Sequence, residues 1–186
     1  DVEFTYIHCF IDDYIPFCEI FIIPYLIWFL YVAATLVFLF FHTKHLDDFY
    51  RCAAILLLGM TTSLIIYTIF PNAQNMRPHT FERDNIFTQI ISVLYATDTD
   101  TNVCPSIHVF NAVAINVAIS KSWYFKDKRA VRIGSNILCV LICMSTLMLK
   151  QHSFIDLVCA LTLYVFYYII IYKPFKKHNK TVSTQC

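Results

Sequence analysis

Charge is scarce in this chain of 186 residues. Asp, Glu, Lys and Arg make up 15% of it, against about 25% in a soluble globular protein. That scarcity excludes an ordinary soluble domain, and a hydrophobic share of 58% makes the chain a membrane protein. No CxxC pair occurs among the eight cysteines. Five of them (Cys18, Cys52, Cys139, Cys143 and Cys159) lie in or at the ends of apolar runs, where Cys acts as a small apolar residue. No basic stretch leads into a short apolar run with a small-residue cleavage site, so no signal peptide is visible. Repeats, low-complexity segments and flexible linkers are also lacking, which leaves one compact domain over 1–186. Asp98 with Asp100, and Asp12 with Asp13, have no matched set of metal ligands around them and read as solvated carboxylates.

What is present is a series of apolar runs. Spans are expected at about Phe17–Phe41, Cys52–Phe70, Pro105–Ser120, Ile133–Leu149 and Ser153–Tyr172. The third and fourth are short, which suits helices packed inside a bundle. The fold class is therefore all-α, a polytopic membrane helix bundle with five spans visible. Lys44 and Arg51 follow the first span. Lys121, Lys126, Lys128, Arg129 and Arg132 follow the third, and Lys173, Lys176, Lys177 and Lys180 follow the fifth. Alternating spans put all of these on one side, which the positive-inside rule makes cytoplasmic. Segment 1–16, loop 71–104 and the turn at Lys150-Gln151-His152 then face outside, and 176–186 forms a mobile cytoplasmic tail. An odd number of spans with an outside start predicts one more helix before Asp1. The plasma (cytoplasmic) membrane is the expected location. Ile86, Phe87, Ile90, Ile91, Leu94 and Tyr95 predict a short amphipathic helix, lying at the interface or packed on the bundle.

Three polar clusters fall on the outer side. In Asn75-Met76-Arg77-Pro78, Arg77 carries a planar fork of donors suited to phosphate oxygens. In Cys104-Pro105-Ser106-Ile107-His108, Pro105 fits the first turn of a helix. The N–H groups of such a turn attract anions, Ser106 adds a hydroxyl, and His108 can protonate a leaving oxygen. In the third cluster His152 and Asp156 stand at i, i+4. A carboxylate on one imidazole nitrogen leaves the other as a nucleophile, and an ionisable residue in an uncharged span suggests function. The alternative readings are a lipid-headgroup arginine, a structural histidine and a capping aspartate. Taken together, the clusters supply what phosphoryl transfer without a metal requires.

These residues resemble the type-2 phosphatidic acid phosphatase superfamily, whose motifs are a Lys with Arg-Pro, a Pro-Ser-Gly-His, and a Ser-Arg leading to a His with Asp four residues on. Arg77-Pro78, Pro105-Ser106 with His108, and Ser145 with His152 and Asp156 match in order over about residues 60–165. The CPSxH form is similar to a bacterial branch and to inositol-phosphorylceramide synthases. The resemblance implies a six-helix bundle without a cofactor or metal. It also implies that His152 attacks phosphorus, Asp156 orients it, His108 acts as acid and then base, and Arg77 and Ser106 hold the phosphate. Phe70, Ile107 and Thr146 stand where the family has Lys, Gly and Arg. Lys150 is the candidate to replace one lost cation. The first expectation is a lipid-phosphate phosphatase acting on a membrane lipid, with no nucleic-acid partner. The alternatives are a headgroup transferase using an acceptor lipid, since a diester suffers less from lost cations, and a catalytically degenerate lipid-binding protein.

Overall fold

The computed structural model describes residues 3–42 and 46–172. Lys44, Lys173, Lys176, Lys177 and Lys180 of the charge argument, and the tail 176–186, lie outside the described residues. The order is β1 (Thr5–Tyr6), α1 (Phe10–Tyr14), a 3-10 turn (Glu19–Phe21), α2 (Ile22–His42), α3 (Leu46–Ile69), β2 (Asn72–Ala73), α4 (Ile86–Thr97), α5 (Ile107–Lys121), a second 3-10 turn (Trp123–Phe125), α6 (Arg129–Met148) and α7 (Phe154–Tyr172). The chain is an all-α polytopic bundle. Among the described residues, four helical segments are long and apolar enough to cross a membrane: Glu19–His42, Leu46–Ile69, Arg129–Met148 and Phe154–Tyr172. The third expected span is α5, which at 15 residues is shorter than the roughly 20 that span a bilayer.

Its position explains that length. Helix α5 packs against α2, α3, α6 and α7, and Val109, Phe110, Ala112, Ala114 and Ile115 are almost fully buried. A helix enclosed by protein does not have to match the bilayer thickness. Close approach to α3 depends on Gly59, because a Cβ there would fall 2.0 Å from the Phe110 ring. Polar ties run between helices where lipid offers no partner. Ser135 Oγ donates to Asn116 Oδ1 at 2.7 Å, so its single proton is used. The Tyr31 hydroxyl must therefore donate to Ser135, at 2.6 Å. That chain links α2, α6 and α5.

At the end of the bundle where α3 and α6 finish and α5 and α7 begin, the loops form a polar cap. β1 runs parallel to β2, and Ala73 bridges to Thr101. Asn72 is fully buried at the junction. Its Oδ1 accepts from Val103 N and Cys104 N, each at 2.8 Å. Its Nδ2 donates to Phe70 O and Cys104 O, at 2.9 and 3.2 Å. The expected amphipathic helix is α4, opened by a capping box between Asn85 and Thr88. It buries Thr88 and Ile91 and exposes Ile86, Ile90 and Val93.

Candidate active site

The turn from α6 to α7 sets the nucleophile's place. Lys150 N donates to Leu147 O and Gln151 N to Thr146 O, each at 3.0 Å, the bond pair of a Schellman stop. Lys150 takes the left-handed position, φ 52°, that glycine usually fills. His152 N adds a third bond, to Thr146 O at 3.1 Å. Thr146, in place of a cation, turns its hydroxyl back to Cys143 O, and its carbonyl anchors the two residues that matter.

His152 lies two residues before α7, so it does not share a helix face with Asp156. The two meet because Asp156, in the first turn of α7, folds back over the helix start. Its Oδ2 accepts from Ser153 N at 2.9 Å and lies 3.3 Å from His152 Nδ1. The capping reading and the orienting reading of Asp156 thus describe one geometry. A carboxylate opposite Nδ1 calls for the Nδ1–H tautomer and leaves the Nε2 lone pair free.

Asp12 is not the solvated carboxylate expected. It is 3% exposed and caps α7 from 141 residues away in sequence. Its Oδ2 accepts from Ser153 Oγ at 2.6 Å and Cys9 N at 2.8 Å, and its Oδ1 from Phe154 N at 2.8 Å. Burial raises its carboxyl pKa, but the hydrogen bonds from Ser153, Phe154 and Cys9 outweigh it and hold the group below the ordinary range. Asp13 is exposed and pairs with His8 at 2.9 Å.

His108 sits in the first turn of α5, behind the N-cap Ser106. Pro105 precedes that cap and lies outside the helix. Ser106 is fully buried, and its Oγ accepts from Val109 N at 3.4 Å. The His108 ring packs against Tyr25 and Trp28, with centroids at 4.7 and 4.4 Å, and lies 5.7 Å from the His152 ring. Both histidines line a cavity of about 110 Å³ with Tyr67, Asp98, Thr99, Thr101, Asn102, Val103, Ile107 and Gln151. His108 and Asp98 also line an apolar cavity of about 530 Å³ between α2 and α4. That second volume lies in the range of small-molecule pockets, and the first is a fraction of it.

Arg77, Ser106 and Lys150 do not line the smaller cavity. Arg77 donates to the carbonyls of Tyr95, Asp98 and Thr99 at 3.3, 2.8 and 3.0 Å and to Gln151 Oε1. It also stacks on Tyr95, 4.7 Å from the ring centroid. Lys150 Nζ donates to Asp12 O at 2.8 Å. Burial lowers its pKa, against the pull of Asp12 and Asp13. Tyr95 donates to Leu149 O at 2.6 Å, and burial, opposed by Arg77, pushes its hydroxyl up to about 12. Sequence reasoning missed Asp12, Asn72 and Gln151. The only signal for Asn72 was a polar residue directly after the Pro71 that ends an apolar run. Among the described residues, no group of three or more His, Cys, Asp or Glu side chains is gathered for a metal.

Comparison with curated proteins and with solved structures gives no match. Residues 52–180 match the family described as the PAP2 superfamily. That stretch is more than half of the chain and holds His108, His152 and Asp156, so this integral membrane protein belongs to the PAP2 superfamily, whose members are phosphatases or related phosphotransferases.

Proposed function

We propose that this chain is a lipid-phosphate phosphatase that works through a phosphohistidine on His152 without a metal. The observation that carries this reading is the placement of His108 and His152 on one small cavity, with Asp156 beneath His152. His152 Nε2 attacks phosphorus, and the P–O bond to the lipid alcohol breaks. Protonated His108 gives its proton to the departing oxygen. His108 then takes a proton from water, which attacks the phosphohistidine, releases phosphate and restores Nε2. The lipid tails stay in the bilayer, and the larger apolar cavity beside His108 suits the segment that joins them to the phosphate. Lys121, Lys126, Lys128, Arg129 and Arg132 stand at the opposite end of α5 and at the start of α6. This supports a site that faces outside a cytoplasmic membrane, with a cytoplasmic C-terminus.

A second reading replaces water with an acceptor lipid's hydroxyl, giving headgroup transfer. It is favoured by the absence of Lys and Arg among the described residues that line the cavity. The test uses purified protein in detergent with EDTA, a panel of lipid phosphates, and acceptor lipid present or absent. Release of phosphate by the wild type and its loss in His152→Ala supports hydrolysis. Headgroup transfer without phosphate release supports the second reading. Full activity in His152→Ala sinks both.

A further inference from the structure

The residue before the nucleophile has an unused donor. Gln151 is 2% exposed. Its Oε1 accepts from Arg77 Nη2, and since a guanidinium can only donate, the atom facing it has to be the oxygen. The amide orientation is thereby set, and among the described residues Nε2 has no partner. A buried N–H with no acceptor is unfavourable, and native structures rarely keep one without a use. Nε2 itself is covered, but Gln151 lines the small cavity together with His108 and His152, so a turn of the side chain toward a phosphoryl oxygen bound there would give this donor the acceptor it lacks. The cation behind it polarises the carboxamide and strengthens the N–H as a donor.

The second observation is the charge of the cavity wall. With its histidines neutral, Asp98 is the lining residue that carries a formal charge, and the charge is negative. The Tyr25 hydroxyl donates to its Oδ2 at 3.0 Å, which keeps the carboxylate in place at the junction of the two cavities. Arg77 stands behind Gln151 and roughly balances Asp98. The cavity wall thus has neutral hydrogen-bond donors to offer an anion. Each further negative charge on the ligand meets Asp98 without a cation of its own.

We infer that Gln151 binds the phosphoryl group through Nε2 and that, with Asp98 on the same wall, it fits the site to a phosphodiester monoanion over the dianion of a phosphate monoester. The inference rests on the phosphoryl-transfer step common to both readings above, and a preference for the diester selects headgroup transfer over release of phosphate from a lipid monoester. Thr146, where the family has an arginine, and the neutral amide of Gln151 then form one adaptation. A cation suited to a dianion is absent, and a polarised amide suited to a monoanion is supplied.

The test is equilibrium binding at pH 8 in detergent micelles, with His152→Ala protein so that bound lipid is not turned over. The probes are phosphatidylmethanol, a diester, and phosphatidic acid of the same acyl chains. A phosphomonoester in solution loses its second proton with a pKa of about 6 and at an anionic lipid surface loses it at higher pH, so the comparison is repeated at pH 9, where phosphatidic acid is the dianion. Phosphatidylmethanol is expected to bind at least about tenfold tighter. Adding Gln151→Glu keeps the partner of Arg77, removes the donor and adds a charge, and should weaken phosphatidylmethanol binding by about 10- to 100-fold, the worth of one strong hydrogen bond. Asp98→Asn keeps an acceptor for Tyr25 and should narrow the preference between the two lipids by about tenfold. Equal or tighter binding of phosphatidic acid overturns the inference, as does a Gln151→Glu effect within twofold in folded protein. Failure of the parent reading looks different: turnover survives His152→Ala while the charge preference in binding remains.

Discussion

The two histidines line one cavity and are held by unlike means. Around His152 the constraint is hydrogen bonding. Its backbone is bound to Thr146 O, its Nδ1 faces Asp156, and Ser153 ties that carboxylate to Asp12. Around His108 the constraint is packing. Its ring lies against Tyr25 and Trp28, and among the described residues no hydrogen bond reaches it. A nucleophile must present one lone pair along the line of attack, so directional bonds suit it. An acid that protonates one oxygen and then deprotonates another needs a slot that allows it to turn, and aromatic walls provide one.

The sharpest way to break the comparison is to remove each ring. His152→Ala should lower turnover by at least about 10⁴-fold, with every lipid phosphate that is turned over. His108→Ala should lose about 10²- to 10⁴-fold, and the loss should nearly vanish with a p-nitrophenyl ester, whose leaving group needs no proton. Equal losses on both kinds of substrate would take the acid's role away from His108.

A smaller effect is expected from the support under His152. Asp12 touches neither histidine and is a positioning residue. Asp12→Asn places an amide N–H against one of three donors, and Ser153→Ala removes the link to Asp12 more gently. Each should lower kcat by about tenfold with KM within twofold, since the bonds orient the nucleophile without touching the substrate, and Asp12→Glu should recover part of the loss. A rise in KM with kcat unchanged would refute a positioning role. Stability gives an independent readout. The Asp12 carboxyl pKa is depressed in the folded chain, so its contribution is present above the ordinary value of 3.8 and is lost as pH falls through the folded value. The difference in Tm between wild type and Asp12→Asn should therefore be full at pH 7 and shrink below about pH 3.8.

This second region also marks the limit of what could be read from the chain. Apolar runs announce their helices, so all five bundle helices were legible to within a few residues at most ends. The pairing of His152 with Asp156 was legible because four residues separate them, although the helix face assumed for it proved to be a capping fold-back. Asp12 was not legible. Two adjacent aspartates look alike in sequence, and which of them is buried depends on a β1–β2 pairing that carries the N-terminal segment across the site. The partners of Arg77 were hidden for the same reason. An arginine in a loop has the chemistry of a phosphate ligand until the fold surrounds it with carbonyls. Gln151 had no signal at all, because its meaning lies in an atom that the fold leaves without a partner.

The smallest expected effect concerns Lys150, between these two kinds of residue. Its backbone is strained and its ammonium is used on Asp12 O. Lys150→Gly relieves a left-handed conformation unfavourable by about 1–2 kcal/mol for an L-residue and removes a hydrogen bond worth about 1 kcal/mol. The two nearly cancel, so stability to denaturant should change by no more than about 1 kcal/mol. KM should stay within about threefold, because the lost charge stands behind the turn and outside the cavity lining. If Lys150 instead reaches the phosphate when substrate binds, KM should rise more than tenfold while the stability change stays small. Measuring both in one variant separates a cation that supports the turn from a cation that holds the substrate.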